Sequence, residues 1–274
     1  MSFVRPEWKR NVGIEMTWTT RTADDSYFRA WFDKDMKAMR IALAENGFKF
    51  CIVHPDGPSL EVSSSVITSW EEAEKIRLVL DAAAKKEKLV ARNDQVVCGG
   101  GHIHIDLDIL TKLKLFRDYS QKPYIMWAFN DYSDIGGADA LSRGGWREEN
   151  HAPLYKFVKP GSRADKYLRN GTDKSYGVNF KWYGVELRFF RSAWDWEEQE
   201  EHLMFAQAYM EWLSTQELRR VERKNPDWVR AWTYEDASAA FMNLIRELKL
   251  PMRRYEKYVE NMWYRFQLGK EYLC

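Results

Sequence analysis

Polar side chains that can bind metal ions or move protons alternate with apolar ones in several segments of the sequence. His102, His104 and Asp106 alternate with isoleucine and leucine, and Glu186 and Arg188 alternate with valine, leucine and phenylalanine. Residues two apart share one face of a β-strand. Each segment therefore predicts a strand with one polar face and one apolar face.

Glu15 and Glu61 add carboxylates to two further predicted strands. Carboxylates and imidazoles on a half-covered sheet face lose hydration, which is costly unless they meet a cation or water. Glutamate and histidine together suit Mg²⁺ or Mn²⁺ when phosphate oxygens supply the remaining ligands. Arg188 carries a fixed fork of donors that suits a phosphoryl group or a carboxylate. These residues indicate a metal site that acts on a polyanionic substrate.

A solvated sheet face is the alternative explanation, since polar alternation in an antiparallel sheet can reflect amphipathicity alone. For any single one of these residues, that explanation is the stronger one. Histidine is scarce, however, at five residues in the chain, and two of the five follow directly on the glycines of positions 99–101. Together with the in-strand glutamates, the histidines favour a functional site.

Local patterns predict the elements that position these residues. Period-two alternation indicates strands over 11–18, 48–53, 60–65, 95–98, 102–107, 176–182 and 185–190. The sequence His-Pro-Asp-Gly-Pro at 54–58 predicts the turn of one hairpin, and Tyr183 with Gly184 predicts the turn of another.

Helical periodicity and capping residues complete the prediction. Helices are indicated from Asp24 or Asp25 to Gly47, over 73–89, 109–119, 124–129 and 196–213, and on either side of Pro251. Ser69 with Glu72, and Thr233 with Asp236, have the spacing of a capping box. The order of elements predicts an α+β fold, in which helices cover one side of an antiparallel or mixed sheet.

Bulk composition excludes several classes of partner. The 42 Lys and Arg residues nearly balance 41 Asp and Glu, so the net charge of +1 offers no field for nucleic acid or an anionic membrane. No run of about 18 apolar residues could span a bilayer, and positions 1–6 lack the apolar core of a signal peptide. Three cysteines without metal-site spacing indicate reduced thiols. The sequence therefore predicts a cytoplasmic protein.

Four ordered motifs resemble a known family. They are Gly13-Ile14-Glu15, Ser59-Leu60-Glu61-Val62-Ser63-Ser64, Gly100-Gly101-His102-Ile103-His104-Ile105 and Gly184-Val185-Glu186-Leu187-Arg188-Phe189. Their order and spacing are similar to those of the amidoligase family, which is frequent in phages and belongs to the glutamine synthetase and glutamate-cysteine ligase superfamily. The resemblance covers residues 10 to 215, and it divides the chain into a catalytic domain at 1–215 and a C-terminal helical extension at 216–274.

The resemblance implies a curved antiparallel sheet whose concave face binds ATP and Mg²⁺ or Mn²⁺. The implied activity is that of an ATP-dependent carboxylate-amine ligase, which joins a small-molecule or peptide carboxylate to an amine through an acyl phosphate. The implied metal ligands are Glu15, Glu61, His102 and Glu186. The implied catalytic residues are Arg188, Glu186 and His104, and Arg188 and His102 are also implied to contact the nucleotide.

A long polar segment at 131–174 predicts a lid over this site. Arg143, Arg147 and Arg163 within it are candidate phosphate contacts, of which we assign Arg143 and Arg147 to the cofactor. Solvated loop arginines are the alternative interpretation.

Two departures from the family pattern leave the activity open. Thr17 stands where relatives have a second acid, and an extra glycine precedes His102. The alternative is therefore a catalytically inactive relative that acts as a structural or binding protein, such as a phage virion component. A third hypothesis is a metal-dependent hydrolase, in which His151 or His202 would complete a metal site begun by His102 and His104.

Aromatic residues are concentrated beyond the resemblance. They are Trp228, Trp232, Tyr255, Tyr258, Trp263 and Tyr264. Packing within a helical core is the simpler explanation, and docking of a second copy or another protein is the alternative.

Overall fold

A computed structural model of the protein describes residues 5–19, 28–56, 59–91, 101–119, 122–129, 178–218 and 232–272. Six strands are formed: β1 (Val12–Thr19), β2 (Ile52–Asp56), β3 (Ser59–Ser63), β4 (Ile103–Asp106), β5 (Val178–Phe180) and β6 (Gly184–Leu187). The described residues also form α1 (Phe28–Glu45), α2 (Trp70–Lys86), α3 (Ile109–Tyr119), α4 (Pro123–Phe129), α5 (Trp196–Thr215), α6 (Tyr234–Glu247) and α7 (Met252–Tyr272). The strand predicted at 95–98 lies outside this description.

The six strands form one sheet in the order β2-β3-β1-β4-β6-β5, and every neighbouring pair is antiparallel. Together with the helices, this sheet confirms the predicted α+β class. Strands β1, β4 and β6, which carry most of the polar residues discussed above, are neighbours at the centre of the sheet.

One face of the sheet is apolar and covered by helices. The even-numbered residues of β1 (Val12, Ile14, Met16 and Trp18) are almost completely buried. Helix α2 lies over this face, because the Arg77 guanidinium sits 5.5 Å from the centre of the Trp18 ring. The Trp18 indole also donates to Asp81 of the same helix at 3.3 Å. The odd-numbered residues of β1 lie on the opposite face.

Helices α4 to α7 enclose an aromatic core around Phe129. Its ring centre lies 4.5 Å from that of Phe205 on α5, and 4.9 Å from that of Tyr258 on α7. Tyr255 and Tyr258 are fully buried, as core packing predicts, whereas Trp263 exposes 46% of its surface. Buried aromatics thus join the C-terminal helices to the rest of the helical layer. The domain boundary at 215 stays a prediction.

The predicted hairpin of β2 and β3 forms, but its turn is shorter than expected. His54, Pro55 and Asp56 belong to β2 and pair with β3, so their assignment to a turn was wrong. Strand β2 also begins at Ile52, not at Phe48. Proline lacks a backbone donor, but β2 is an edge strand, where a missing donor on the outer side breaks no pairing. The hairpin motif therefore tolerates a proline inside the strand.

The predicted cap of α2 also differs in one partner. The Ser69 hydroxyl accepts from the backbone N–H of Glu72 at 3.1 Å, as in a capping box. The Glu72 carboxylate, however, accepts from the N–H of Thr68 at 2.8 Å instead of that of Ser69. Gly47 follows α1 with a φ of 92°, which glycine adopts without strain.

Within the described parts of the chain, no helix combines the length and the apolar character needed to cross a membrane.

Candidate functional site

The register of the sheet brings the polar residues to one face. His104 pairs with Gly13 on one side and with Glu186 on the other, while Thr17 pairs with Glu61. Directly opposite residues in an antiparallel sheet point to the same side. Period-two alternation then extends that face along each strand. The face carries Glu15, Glu61, His102, His104, Glu186 and Arg188.

Glu15, His102 and Glu186 form a group that can hold a metal ion. One potential ligand atom from each lies within 4.8 Å of the other two. The His102 Nδ1 atom is 2.5 Å from Glu15 Oε2 and 3.5 Å from Glu186 Oε1. His102 and Glu186 are buried, and Glu15 is partly buried. We call these three residues the central cluster.

Glu186 contacts two cationic side chains, Lys181 and Arg188. Its Oε2 atom accepts from Asn179 Nδ2 at 3.0 Å and lies 2.9 Å from Lys181 Nζ. Its Oε1 atom accepts from the Arg188 guanidinium. Burial raises the pKa of Glu186, but the charges of Arg188 and His102 and the hydrogen bond from Lys181 outweigh burial and lower it. Lys181 and Arg188 therefore place cationic donors beside the central cluster, where they can contact an anionic ligand.

Both histidines hold Glu15 in place. His104 Nε2 is 2.9 Å from Glu15 Oε1, and its Nδ1 is 2.7 Å from the Tyr183 hydroxyl. Burial raises the pKa of Tyr183 to about 12, helped by the charges of Glu186 and Glu15, so the phenol keeps its proton. The two ring nitrogens of His104 thus connect Tyr183 to Glu15.

Glu15 is ionised in this setting. Burial raises its pKa, but hydrogen bonds from His102 and His104, together with their charges, lower it far below its usual value. A carboxylate that stays ionised is what a metal ion requires of its ligand.

Three buried polar atoms of this face lack a hydrogen-bond partner in the described structure: His102 Nε2, Asn179 Oδ1 and Arg188 Nε. Buried polar atoms in native proteins are almost always paired, so each such exception needs a cause. Each of these three atoms lies beside the central cluster, where a bound ligand could supply the partner.

The donor types fit a hard or borderline divalent cation. Two carboxylates and one imidazole are acceptable ligands for Mg²⁺ or Mn²⁺, which fill their remaining positions with water or phosphate oxygens. The residues that would hold the ion are Glu15, Glu186 and, through Nδ1 once deprotonated, His102. The group therefore meets the chemical requirement for such a metal.

Glu61 lies on the same face but outside the central cluster. Its Oε1 atom is 2.9 Å from His54 Nε2 on β2. In the sheet, β1 lies between Glu61 and β4, and both β1 and β4 lie between Glu61 and Glu186 on β6. Its role as a metal ligand stays a prediction.

Among the described residues, the candidate His202 is not at this face. His202 lies in the aromatic core, where its ring centre is 4.9 Å from that of Phe190 and 5.6 Å from that of Phe129. It cannot complete a hydrolase site with His102 and His104. Arg143, Arg147, Arg163 and His151 lie outside the described residues.

Sequence reasoning missed Asn179, Lys181 and Tyr183. The first two stand two apart at the end of β5, on the register that faces Glu186. The period-two rule that found Glu186 and Arg188 could also have found them. Tyr183 belongs to a turn, where alternation gives no direction, so no comparable signal marked it.

Comparisons with known proteins leave the family open. No protein-family model and no curated protein matches the sequence. Among solved structures, GmaS in complex with ADP, a gamma-glutamylmethylamide synthetase, aligns with 94% of this chain and 70% of its own, at 12% identity and a TM-score of 0.46. A likeness that weak carries no argument about this chain, so function must be argued from the central cluster and its surroundings.

Proposed function

We propose that this protein is an ATP- and Mg²⁺-dependent carboxylate-amine ligase of the glutamine synthetase-like, amidoligase type. The observation that carries the proposal is the juxtaposition of the central cluster with Lys181 and Arg188. Ligands for a divalent cation lie next to two cationic side chains. A metal-bound polyphosphate needs both.

The reaction makes a carboxylate reactive in two steps. A substrate carboxylate oxygen attacks the γ-phosphorus of ATP, which breaks the bond to ADP and leaves an acyl phosphate. An amine then attacks the acyl carbon, phosphate departs, and the nitrogen loses a proton. Bound Mg²⁺ supplies neutralisation of the phosphate oxygens. Substrates of this class are amino acids or peptides.

The protein's own residues have separable roles in this scheme. Arg188 offers its unpartnered Nε–H and the rest of its fork to the transferring phosphoryl group. The Lys181 ammonium group forms an ion pair with Glu186 and can contact phosphate as well. His104 acts as a positioning residue, because it links Tyr183 to Glu15.

The direct test is turnover with substrate pools. Protein, ATP and Mg²⁺ are incubated with pooled amino acids and with peptidoglycan-type peptides, and released phosphate is measured. We expect release in at least one pool that depends on both a carboxylate and an amine. Arg188→Ala should lower kcat about 100- to 1,000-fold, the usual effect of losing one charge-stabilising donor.

Matched controls separate chemistry from folding. Glu87→Gln changes a glutamate whose partner, Lys34, lies on the surface, so turnover should stay at the wild-type level. Absence of phosphate release in every pool, together with no ATP binding by calorimetry, would sink the ligase proposal.

A catalytically inactive relative with a structural or binding role, such as a virion component, is the second candidate. Thr17 favours it, because this buried residue stands opposite Glu61 where an acid would supply a further metal ligand. Light scattering discriminates between the two. A defined assembly that forms equally well in Glu15→Ala and Glu186→Ala, without any phosphate release, supports the scaffold over the enzyme.

A further inference from the structure

The turn between β5 and β6 carries three side chains with different directions. Lys181 reaches Glu186 with its Nζ at 2.9 Å. Tyr183 reaches His104 with its hydroxyl at 2.7 Å. Trp182, between them, exposes 81% of its surface. The turn therefore contacts the candidate site with two residues and presents a large aromatic ring to solvent with the third.

Hydrogen bonds from Lys112 and within the turn fix the backbone of the turn. Lys112 on α3 is only 3% exposed, and its Nζ donates to the carbonyl oxygens of Lys181 at 2.5 Å and of Trp182 at 3.4 Å. Lys181 and Gly184 also exchange two backbone hydrogen bonds, at 3.0 and 3.3 Å. A buried ammonium group is costly, so its bonds strongly favour one backbone conformation.

Close packing restricts the turn further. A Cβ atom on Gly184 would lie 1.9 Å from the carbonyl oxygen of Ile105 on β4. Only glycine permits the turn to approach the sheet this closely. The backbone that carries Trp182 is therefore fixed relative to β4, the strand of His102 and His104.

The exposed ring lies beside the site. The Trp182 and Tyr183 rings meet edge to face, with centres 5.5 Å apart and planes at 88°. Tyr183 in turn contacts His104, and His104 contacts Glu15 of the central cluster. One aromatic ring and one imidazole thus separate Trp182 from the metal ligands. A solvent-facing indole on a fixed backbone is suited to stack on a planar ligand.

We propose that Trp182 is the base-stacking residue of the nucleotide site, so that Lys181 and Trp182 together clamp a nucleoside triphosphate. This rests on the proposed ligase function. Lys181 faces the anionic end of the ligand near Glu186, and the next residue faces outward, where the base of a bound nucleotide extends away from the phosphates. Stacking recognises any purine ring, so the clamp favours nucleotides over bare polyphosphates without choosing strongly between adenine and guanine.

The test compares two ligands that differ in the base. Calorimetry with Mn²⁺ measures binding of ATP and of inorganic tripolyphosphate to wild type, Trp182→Ala, Trp182→Phe and the control Trp263→Ala, whose indole is also exposed but lies on α7. We expect Trp182→Ala to weaken ATP binding about 5- to 150-fold, the range found for removing one base-stacking ring, and to leave tripolyphosphate binding unchanged. Trp182→Phe should retain most of the ATP affinity, and Trp263→Ala all of it.

The outcomes separate this inference from the ligase proposal. Equal ATP binding by wild type and Trp182→Ala overturns the stacking role while leaving the ligase proposal intact. Equal weakening of ATP and tripolyphosphate in Trp182→Ala also overturns it, because the loss would then come from a displaced turn and not from a lost base contact. Failure of the wild type to bind either ligand overturns both proposals.

Discussion

Glu186 and Glu198 are buried to the same extent, at 3% exposure each, yet their surroundings differ. Glu198 accepts from Arg191 Nε at 2.7 Å and from the N–H of Trp194 at 2.8 Å. Glu198 forms a paired contact with Arg191, whereas Glu186 lies close to two further possible metal ligands, Glu15 and His102. Burial of a charge therefore does not identify a site by itself. The convergence of several possible metal ligands does.

The position of Glu198 explains the contrast. It lies in the first turn of α5, whose N-cap Asp195 accepts from the N–H of Glu198 at 2.9 Å. Its carboxylate returns to Trp194 and joins the helix start to Arg191. These bonds thus stabilise the start of α5 and its contact with Arg191. Glu186 lies in mid-sheet, where strand pairing makes no demand on its side chain.

The largest expected loss of unfolding free energy comes from breaking the buried pair of Glu198 and Arg191. Glu198→Gln removes the carboxylate that the Arg191 guanidinium contacts, and breaking a buried ion pair costs about 3 to 5 kcal/mol of unfolding free energy. Urea unfolding measures the loss. The control Glu87→Gln removes a partner of the exposed Lys34 and should cost less than about 1 kcal/mol. Equal, small losses in both variants would show that the Glu198 pair is not structural.

In the wild type, acid should remove the stability that ionised Glu198 contributes. Burial raises the pKa of Glu198, but the charges of His202 and Arg191 and the hydrogen bonds from Trp194 and Arg191 lower it from 4.5 to about 2. A lowered folded-state pKa stabilises the protein above the unfolded-state value, and this stability disappears as pH falls from about 4.5 through about 2. The loss is at most about 3 kcal/mol.

Urea unfolding at several pH values checks this dependence. The wild type should lose stability more steeply than Glu198→Gln between pH 4.5 and 2, because the variant has no carboxyl group to protonate there. Parallel curves for the two proteins would contradict the assignment.

A divalent metal ion should stabilise the protein by binding at the central cluster. Mn²⁺ at about 100 times its dissociation constant should stabilise the wild type by about 2.7 kcal/mol. Glu15→Gln should weaken Mn²⁺ binding by at least about 100-fold, since even residues that only support a ligand contribute 10- to 100-fold. Thermal unfolding with and without Mn²⁺ gives both results. A Glu198→Gln protein that keeps its full Mn²⁺ response would sharpen the contrast, and a Glu15→Gln protein that keeps it would refute the site.

The smallest effect on stability is expected at Lys181. Its side chain is 28% exposed, so Lys181→Met should change the unfolding free energy by less than about 1 kcal/mol. The same variant should bind tripolyphosphate more weakly in the presence of Mn²⁺. A large loss of stability would place Lys181 with the structural pairs and not with the site.

Much of the sheet could be predicted because alternation is a local property. The patterns around Glu15, His104 and Glu186 each reveal which residues share a face, without reference to any other strand. They do not reveal which strands are neighbours. The sequence-level interpretation could therefore propose that these residues meet, while only the register of β1, β4 and β6 shows His104 opposite Glu186.

Local rules failed where tertiary context decides. Proline and aspartate predicted a turn at 54–56, but the free outer edge of β2 removes the usual objection to a strand proline. Tyr183 and Lys112 gave no signal, because their contacts join a turn to a distant strand and a distant helix. The amphipathic pattern could not show that Glu61 bonds His54.

Pro55 has a consequence for the behaviour of the protein in concentrated solution. An edge strand is a template on which a strand from another molecule can extend the sheet, and the nearby exposed Phe50 and Ile52 would add apolar contact. Pro55, the fourth of the five residues of β2, lacks one backbone donor that an added strand would need. It thereby disfavours edge-to-edge aggregation at this strand.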